Sequence, residues 1–146
     1  MFRVPAQELL AERLTQNSFA ESVFFANSGT EAVECGLKLI RKHFFSSGSK
    51  ERYRIITFEG GFHGRTFGSM AAGNNNKYLS GFEPTLSGFD QVPFADLDAV
   101  RSVISSETAA IFVEPIQGEA GVRVFPSGFL GELRTICDEN GLLLFL

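Results

Sequence analysis

The stretch from Val23 to Glu34 reads VFFANSGTEAVE. Its first three residues, 23–25, are apolar and β-prone, which predicts a short buried strand. Ser28 and Glu31 have the S-x-x-E spacing of a capping box, so a helix is predicted to begin directly after Ser28. The stretch therefore predicts a strand, a polar turn and a helix in succession, which is the repeating unit of an α/β fold.

The helix predicted after Ser28 has one apolar face. The residues on that face follow helical spacing and are Val33, Gly36, Leu37, Ile40 and Phe44. The start of the helix offers unpaired backbone N–H groups, the positive end of the helix dipole and the hydroxyls of Ser28 and Thr30, a combination that suits phosphate. A plain capped turn without a ligand is the alternative, and these residues alone favour it, because helix starts are common and bound phosphates are not.

Strands and helices are predicted to alternate along the whole chain. Further strands are predicted at 53–58, 91–94, 109–113 and 142–146. Further helices are predicted at 5–15, 96–104 and 126–140, and a short helix that ends at residue 72 is predicted after the turn at 59–66. Most of these strands are unbroken apolar runs, which is typical of a parallel sheet covered on both faces. Residues 73–88 are predicted to be irregular, and such long loops are usually functional or mobile. The predicted fold class is α/β, with a mostly parallel sheet as the middle of three layers.

The bulk composition fits one globular domain and excludes several functions. The chain has 146 residues, 44% of them hydrophobic, and a net charge of −4, which argues against a nucleic-acid partner. Cys35 and Cys137 lie far apart in apolar patterns and are predicted to be buried free thiols, so no metal site is expected. The N-terminus lacks the pattern of a signal peptide, and no apolar run reaches membrane-spanning length. A soluble cytoplasmic protein without a membrane partner is expected.

Three loops at the carboxyl ends of the predicted strands hold most of the reactive side chains. Ligands of parallel α/β folds bind at this edge of the sheet, and here the loops are 27–30, 60–65 and 114–119. Phe62 can stack on a flat ring, and Arg65 can hold a carboxylate through two contacts. The chain has no dinucleotide-binding, P-loop or hydrolase motif. The three loops together suit a phosphorylated aromatic cofactor that acts on an amino acid.

Four sequence blocks resemble the class III, ornithine-type aminotransferases that use pyridoxal phosphate, and most closely the acetylornithine aminotransferases. The blocks are FANSGTEA at 25–32, TFEGGFHGRT at 57–66, VEPIQGEAG at 113–121, and LR followed by CDE within 133–139. Their order and spacing match over essentially the whole chain. The resemblance implies that residues 1–146 form one partial domain, the incomplete large domain of a fold-type I pyridoxal-phosphate transferase, cut at both ends.

The resemblance also implies which residues bind the cofactor and the substrate. The implied cofactor-binding residues are Ser28, Gly29, Thr30, Phe62, His63 and Glu114. Gly29 and Thr30 would hold the cofactor phosphate, and Phe62 would stack on the pyridine ring. Of the others, His63 would lie beside Phe62 and Glu114 near the O3′ side of the cofactor. Taken without the resemblance, His63 is as well explained by backbone hydrogen bonding and Phe62 by ordinary core packing.

Two further residues would bind the substrates. Arg65 would hold the substrate α-carboxylate, and Glu119 would pair with an arginine later in the family sequence and help distinguish the amino acid from glutamate. For Glu119, a solvated loop charge is the alternative. The implied reaction transfers an amino group from acetylornithine to 2-oxoglutarate in arginine biosynthesis, in a homodimer. Alternatives are a transaminase of ornithine, 4-aminobutyrate or succinyl-diaminopimelate, a non-catalytic remnant acting as an interaction module, and a truncated gene model.

The family pattern extends on both sides of this chain. Continued without gaps from Glu114, it places the aspartate that pairs with the pyridine nitrogen directly after Leu146, and the Schiff-base lysine further on. The lysines of this chain lie away from the matching position, so no catalytic residue is assigned and the chain alone is not expected to transaminate. The strand at 142–146 is expected to lack a neighbour, so the isolated chain is expected to be marginally stable or to associate.

Overall fold

A computed structural model describes residues 2–146. The helices are α1 Pro5–Gln16, α2 Gly29–Ser46, α3 Phe67–Gly73, α4 Asn76–Leu79, α5 Leu97–Val103 and α6 Phe129–Asn140. The strands are β1 Arg54–Phe58, β2 Phe89–Val92, β3 Thr108–Phe112, β4 Ile116–Gln117, β5 Arg123–Val124 and β6 Leu143–Phe145. None of the helices in residues 2–146 is long and apolar enough to cross a bilayer.

Four of the strands form one parallel sheet in the order β2-β1-β3-β6. Each neighbouring pair is parallel, with β1 between β2 and β3, and with β6 on the far side of β3. β4 and β5 form a separate antiparallel hairpin. The predicted α/β class with a mostly parallel sheet is therefore confirmed, and β6 lies at an edge of the sheet, as expected.

Two apolar cores lie on opposite faces of the sheet, because successive side chains of a strand point to opposite sides. Ile56 and Ile111 belong to the core that packs against α5 and α6. Ile55 and Ala110, their neighbours in sequence, belong to the core that packs against α2. The sheet is thus the middle of three layers, as predicted.

The predicted apolar face of α2 is confirmed, and one of its residues explains the close approach of α2 to the sheet. Leu37, Ile40 and Phe44 are buried. A Cβ placed on Gly36 lies 2.6 Å from Cε1 of Phe145, so only a glycine lets the helix approach β6 this closely.

The prediction of a buried strand at 23–25 is wrong. These residues have no regular secondary structure, and the side chain of Phe24 is 77% exposed. β-structure requires a neighbouring strand that accepts and donates backbone hydrogen bonds, and among residues 2–146 no strand pairs with this segment. An apolar, β-prone composition is therefore not enough to form a strand at residues 23–25.

Other predictions need smaller corrections. The strand predicted at 91–94 forms two residues earlier as β2, because Pro93 has no N–H with which to continue the ladder. The irregular segment 73–88 contains the short helix α4. The turn at 114–121 was predicted without the β4–β5 hairpin that it leads into. Both cysteines are free as predicted, although Cys35 is only half-buried.

Candidate functional site

Contacts between side chains and backbone bring the three predicted loops together at one edge of the sheet. The start of α2 meets the loop 59–66, because Gly64 packs against Thr30. The loop 59–66 meets the segment after β3, because the backbone N–H of Phe62 donates to Oε2 of Glu114 over 3.1 Å. The three loops therefore lie together even though residues 23–25 form no strand.

The start of α2 has the geometry of an anion seat. The Ser28 hydroxyl oxygen accepts from the N–H of Glu31 over 3.2 Å, which confirms the predicted N-cap. The Glu31 carboxylate accepts from the N–H of Asn27 over 2.7 Å, one residue before the position of a full capping box. The N–H groups of Gly29 and Thr30 have no hydrogen-bond partner among the described residues. A Cβ placed on Gly29 meets nothing within 4 Å, so the Cβ side of Gly29 is open.

At Gly64 the backbone of the loop 59–66 lies in close contact with the Thr30 side chain of α2. Its φ of +121° lies in a region that L side chains rarely adopt. A Cβ built there overlaps Oγ1 of Thr30 and lies 2.8 Å from Cβ of Thr30. The absence of a side chain at this position therefore allows the loop carrying Phe62 and Arg65 to lie directly against the anion seat.

The Glu114 carboxylate joins two of the loops by accepting hydrogen bonds from their backbone N–H groups. Its Oε2 accepts from the N–H of Phe62, and its Oε1 accepts from the N–H of Gly118 over 3.4 Å. The first of these bonds fixes the backbone that carries the Phe62 ring. That ring is half-buried and packs edge-on against Tyr78, with 5.9 Å between ring centroids.

Arg65 is exposed at the mouth of an adjoining cleft of about 500 Å³. Its guanidinium lies 5.3 Å from the centroid of the Tyr78 ring, which also has Lys77 at 5.7 Å. No carboxylate of residues 2–146 lies within ion-pair distance of Arg65. The guanidinium is therefore placed on an aromatic surface with its hydrogen-bond donors available to a carboxylate ligand. The role of Tyr78 was missed, because nothing in the irregular stretch 73–88 distinguished it.

His63 lies in the core beneath the site. Its ring is 7% exposed and packs on Phe112 with 3.9 Å between centroids. Its Nε2 is buried without a hydrogen-bond partner, so it does not satisfy a backbone group there. Burial lowers the pKa of His63 to about 4, and the ring is therefore neutral at physiological pH.

The buried His63 makes stability depend on pH. The unfolded chain binds this proton near pH 6.5 and the folded chain only near pH 4, so stability is lost as pH falls through that interval. Relative to a His63→Phe variant, the wild type is expected to lose about 2 kcal/mol of unfolding free energy between about pH 7 and about pH 4.5. Urea unfolding at both pH values measures this difference. Equal pH dependence of the two proteins would contradict the assignment.

The sequence interpretation missed a polar cluster that joins α2 to α3. Glu34 accepts from the Thr66 hydroxyl and from the N–H of Ser69, whose side chain also contacts Oγ1 of Thr30 at 3.4 Å. The sequence did contain one sign of this cluster. Glu34 follows Thr30 by four residues, and the two side chains therefore lie on the same side of the helix.

The β4–β5 hairpin, which was also missed, supports the loop 59–66 from the other side. Gln117 on β4 is fully buried, and its Nε2 donates to the backbone carbonyl of Glu59 over 3.0 Å. Glu119, in the turn of the hairpin, is exposed, and no cation of residues 2–146 pairs with it. Its predicted pairing with a later arginine stays a prediction.

Comparison with known proteins gives one consistent family. The aminotransferase class-III family matches residues 1–146. An acetylornithine aminotransferase of Brucella melitensis is 58% identical over 146 residues, which are 100% of this chain and 36% of that protein. An acetylornithine aminotransferase of Agrobacterium fabrum is 56% identical over 144 residues, which are 99% of this chain and 36% of that protein.

Solved structures give the same result for the fold. A PLP-bound amine transaminase from an uncultivated Pseudomonas species superimposes with a TM-score of 0.86 at 30% identity, covering 98% of this chain and 38% of that chain. The ornithine aminotransferase of Toxoplasma gondii gives 0.85 at 29% identity, with 96% and 33% covered. The chain thus spans about a third of the length of the proteins it matches.

Proposed function

The chain belongs to the aminotransferase class-III family, and from that premise we propose that it forms part of the large domain of a pyridoxal-phosphate aminotransferase. The proposed reaction of the complete protein transfers an amino group from acetylornithine to 2-oxoglutarate. The observation that carries this proposal is the match, over this whole chain, to relatives named acetylornithine aminotransferase. The ornithine aminotransferase of Toxoplasma gondii is 29% identical, compared with 56–58% for these relatives, which favours acetylornithine over ornithine.

The residues at the site fit a phosphorylated pyridine cofactor. The Cβ side of Gly29 is open, and the N–H groups of Gly29 and Thr30 have no partner among residues 2–146, a combination that suits a phosphate. The Phe62 ring, held by the backbone bond to Glu114, belongs to the loop that packs against this seat. Pyridoxal phosphate, when bound, supplies the electron-withdrawing ring on which amino transfer proceeds.

Each residue of the site has a proposed task. Gly29 and Thr30 bind phosphate, with the Ser28 hydroxyl available as a further donor, since its oxygen serves the helix cap. Phe62 packs against the pyridine ring, and His63 supports it from the core as a neutral group. Glu114 holds the Phe62 backbone in place on the O3′ side of the cofactor.

Substrate binding is assigned to two charged residues. Arg65, which has no ion-pair partner among residues 2–146, orients the α-carboxylate of the amino acid. Glu119 is proposed to take part in distinguishing the two substrates. We further propose a cytoplasmic homodimer, in line with the family.

The proposal is tested on the complete protein that contains this stretch. Purified apoprotein is titrated with pyridoxal phosphate and followed by absorbance. The loaded protein is then assayed with acetylornithine and 2-oxoglutarate, with ornithine and 4-aminobutyrate as competing amino donors. Saturable cofactor binding with acetylornithine as the best donor is the expected result. Preference for another donor would replace the substrate assignment, and failure to bind the cofactor would overturn the proposal itself.

Gly29→Ala separates cofactor binding from folding. The new methyl group meets no protein atom within 4 Å, so the unfolding free energy is expected to stay within about 0.5 kcal/mol of wild type. The methyl group occupies the space assigned to phosphate, so the dissociation constant of pyridoxal phosphate is expected to rise about tenfold. Gly131→Ala on α6, also with nothing within 4 Å, is the matched control and should bind normally. Normal cofactor affinity of Gly29→Ala would move the phosphate away from α2.

A further inference from the structure

Glu34 makes contacts that serve a different helix from its own. It lies on α2, but its Oε1 accepts from the backbone N–H of Ser69, in the first turn of α3, over 3.3 Å. The same oxygen accepts from the hydroxyl of Thr66. Thr66 is the N-cap residue of α3, yet its side chain makes no capping bond to α3. The Glu34 carboxylate therefore caps α3 from the neighbouring helix.

Close packing reinforces this cap. A Cβ placed on Gly68 lies 2.6 Å from Oε1 of Glu34, so a side chain at this position would push the carboxylate away from α3. α3 begins directly after the loop 59–66, and so a carboxylate that fixes the first turn of α3 also fixes where that loop ends.

A chain of hydroxyl groups continues from Glu34 to the anion seat. Thr66 Oγ1 and Ser69 Oγ are 2.8 Å apart, and Ser69 Oγ and Thr30 Oγ1 are 3.4 Å apart. Ser69 is fully buried.

The Glu34 carboxylate at one end of this series of hydroxyl groups determines which group donates in each hydrogen bond. A carboxylate only accepts, so Thr66 donates to Glu34, Ser69 donates to Thr66, and Ser69 can only accept from Thr30. The Thr30 proton is thus shared between a long bond to Ser69 and any ligand at the seat.

Resting on the proposed function, we propose that Glu34 is a positioning residue. It links the anion seat to Arg65, the residue that is proposed to bind the substrate carboxylate. Its carboxylate ties the start of α3, and thereby Arg65, to the helix whose first turn binds the cofactor phosphate. In this proposal Glu34 acts through Thr66 and Ser69, without contacting the cofactor or the substrate. Its removal leaves the chemistry intact but lets Arg65 move relative to the cofactor, so substrate binding weakens more than turnover.

The test compares Glu34→Ala and Glu34→Gln in the complete protein, with Glu51→Ala as a control at an exposed glutamate without side-chain hydrogen bonds among residues 2–146. For Glu34→Ala, loss of a charge-assisted cap is expected to raise KM for acetylornithine about tenfold while kcat changes less than about twofold. Glu34→Gln keeps an accepting oxygen and the packing, so a rise of roughly threefold in KM is expected. Glu51→Ala should match wild type.

Amide hydrogen exchange of the apoprotein provides a readout that does not require activity. In Glu34→Ala, the amide of Ser69 and the amides of 62–66 are expected to exchange about tenfold faster, whereas the strand β3 stays protected. Unchanged exchange at Ser69, or a loss in kcat with KM unchanged, overturns the proposal. If the wild type transaminates no amino acid, the proposed function fails, and the exchange result still decides whether Glu34 holds this loop.

Discussion

Gly64→Ala is expected to weaken pyridoxal-phosphate binding by the complete protein about a hundredfold or more. The backbone at this position has a φ of +121°, and the added Cβ overlaps the Thr30 hydroxyl. Backbone strain and overpacking each cost about 1–3 kcal/mol. Either the loop 59–66 moves away from α2, or Thr30 rotates away from the seat. Both outcomes separate the groups that are proposed to hold the phosphate and the ring.

A glycine in the neighbouring loop provides the control for this variant. Gly118 has no positive φ and nothing within 4 Å of a Cβ, and Gly118→Ala keeps the N–H that donates to Glu114. Urea unfolding and cofactor titration of both variants are therefore compared. Gly64→Ala is expected to lose about 2–6 kcal/mol of unfolding free energy, and Gly118→Ala less than about 0.5 kcal/mol. Similar behaviour of the two variants would show that the contact between Gly64 and Thr30 does not hold the loop.

The sequence predicted those features that depend on residues close together in the chain. The cap of α2 depends on Ser28 and Glu31, three residues apart, and it forms as predicted. The apolar face of α2 follows from helical spacing, and Leu37, Ile40 and Phe44 on that face are buried. The sheet order, β2-β1-β3-β6, was not predicted. It depends on which strands pair with each other across long crossovers, and these strands are distant in sequence.

The failed and missed predictions concern partners that are distant in sequence. Residues 23–25 have the composition of a strand, but whether they pair depends on another segment lying beside them. Glu34 had a place on the helix but no visible function, because the groups it caps are Thr66 and Ser69, more than thirty residues later. His63 packs on Phe112 with Nε2 unpartnered, which argues against the backbone hydrogen bond, whereas its place beside the cofactor stays a prediction.

Replacement of Arg65 is expected to have the largest effect on substrate binding. Its guanidinium lies over Tyr78 with no carboxylate partner among residues 2–146, so its donors are available to the substrate. Two charge-assisted hydrogen bonds to one carboxylate contribute about 3 kcal/mol or more. Arg65→Ala is therefore expected to raise KM for acetylornithine about a hundredfold, and Arg65→Lys about tenfold, because an ammonium cannot make the planar two-pronged contact.

Lys77 provides the control for this variant, because its charge lies over the same Tyr78 ring at 5.7 Å, compared with 5.3 Å for Arg65. If the substrate carboxylate is attracted only by the positive charge around this ring, Lys77→Ala and Arg65→Ala raise KM to a similar extent. If it is bound by the guanidinium, Lys77→Ala changes KM by less than about twofold. Steady-state kinetics of both variants, with cofactor affinity measured separately, distinguish the two. Only the second outcome supports Arg65 as the group that orients the substrate.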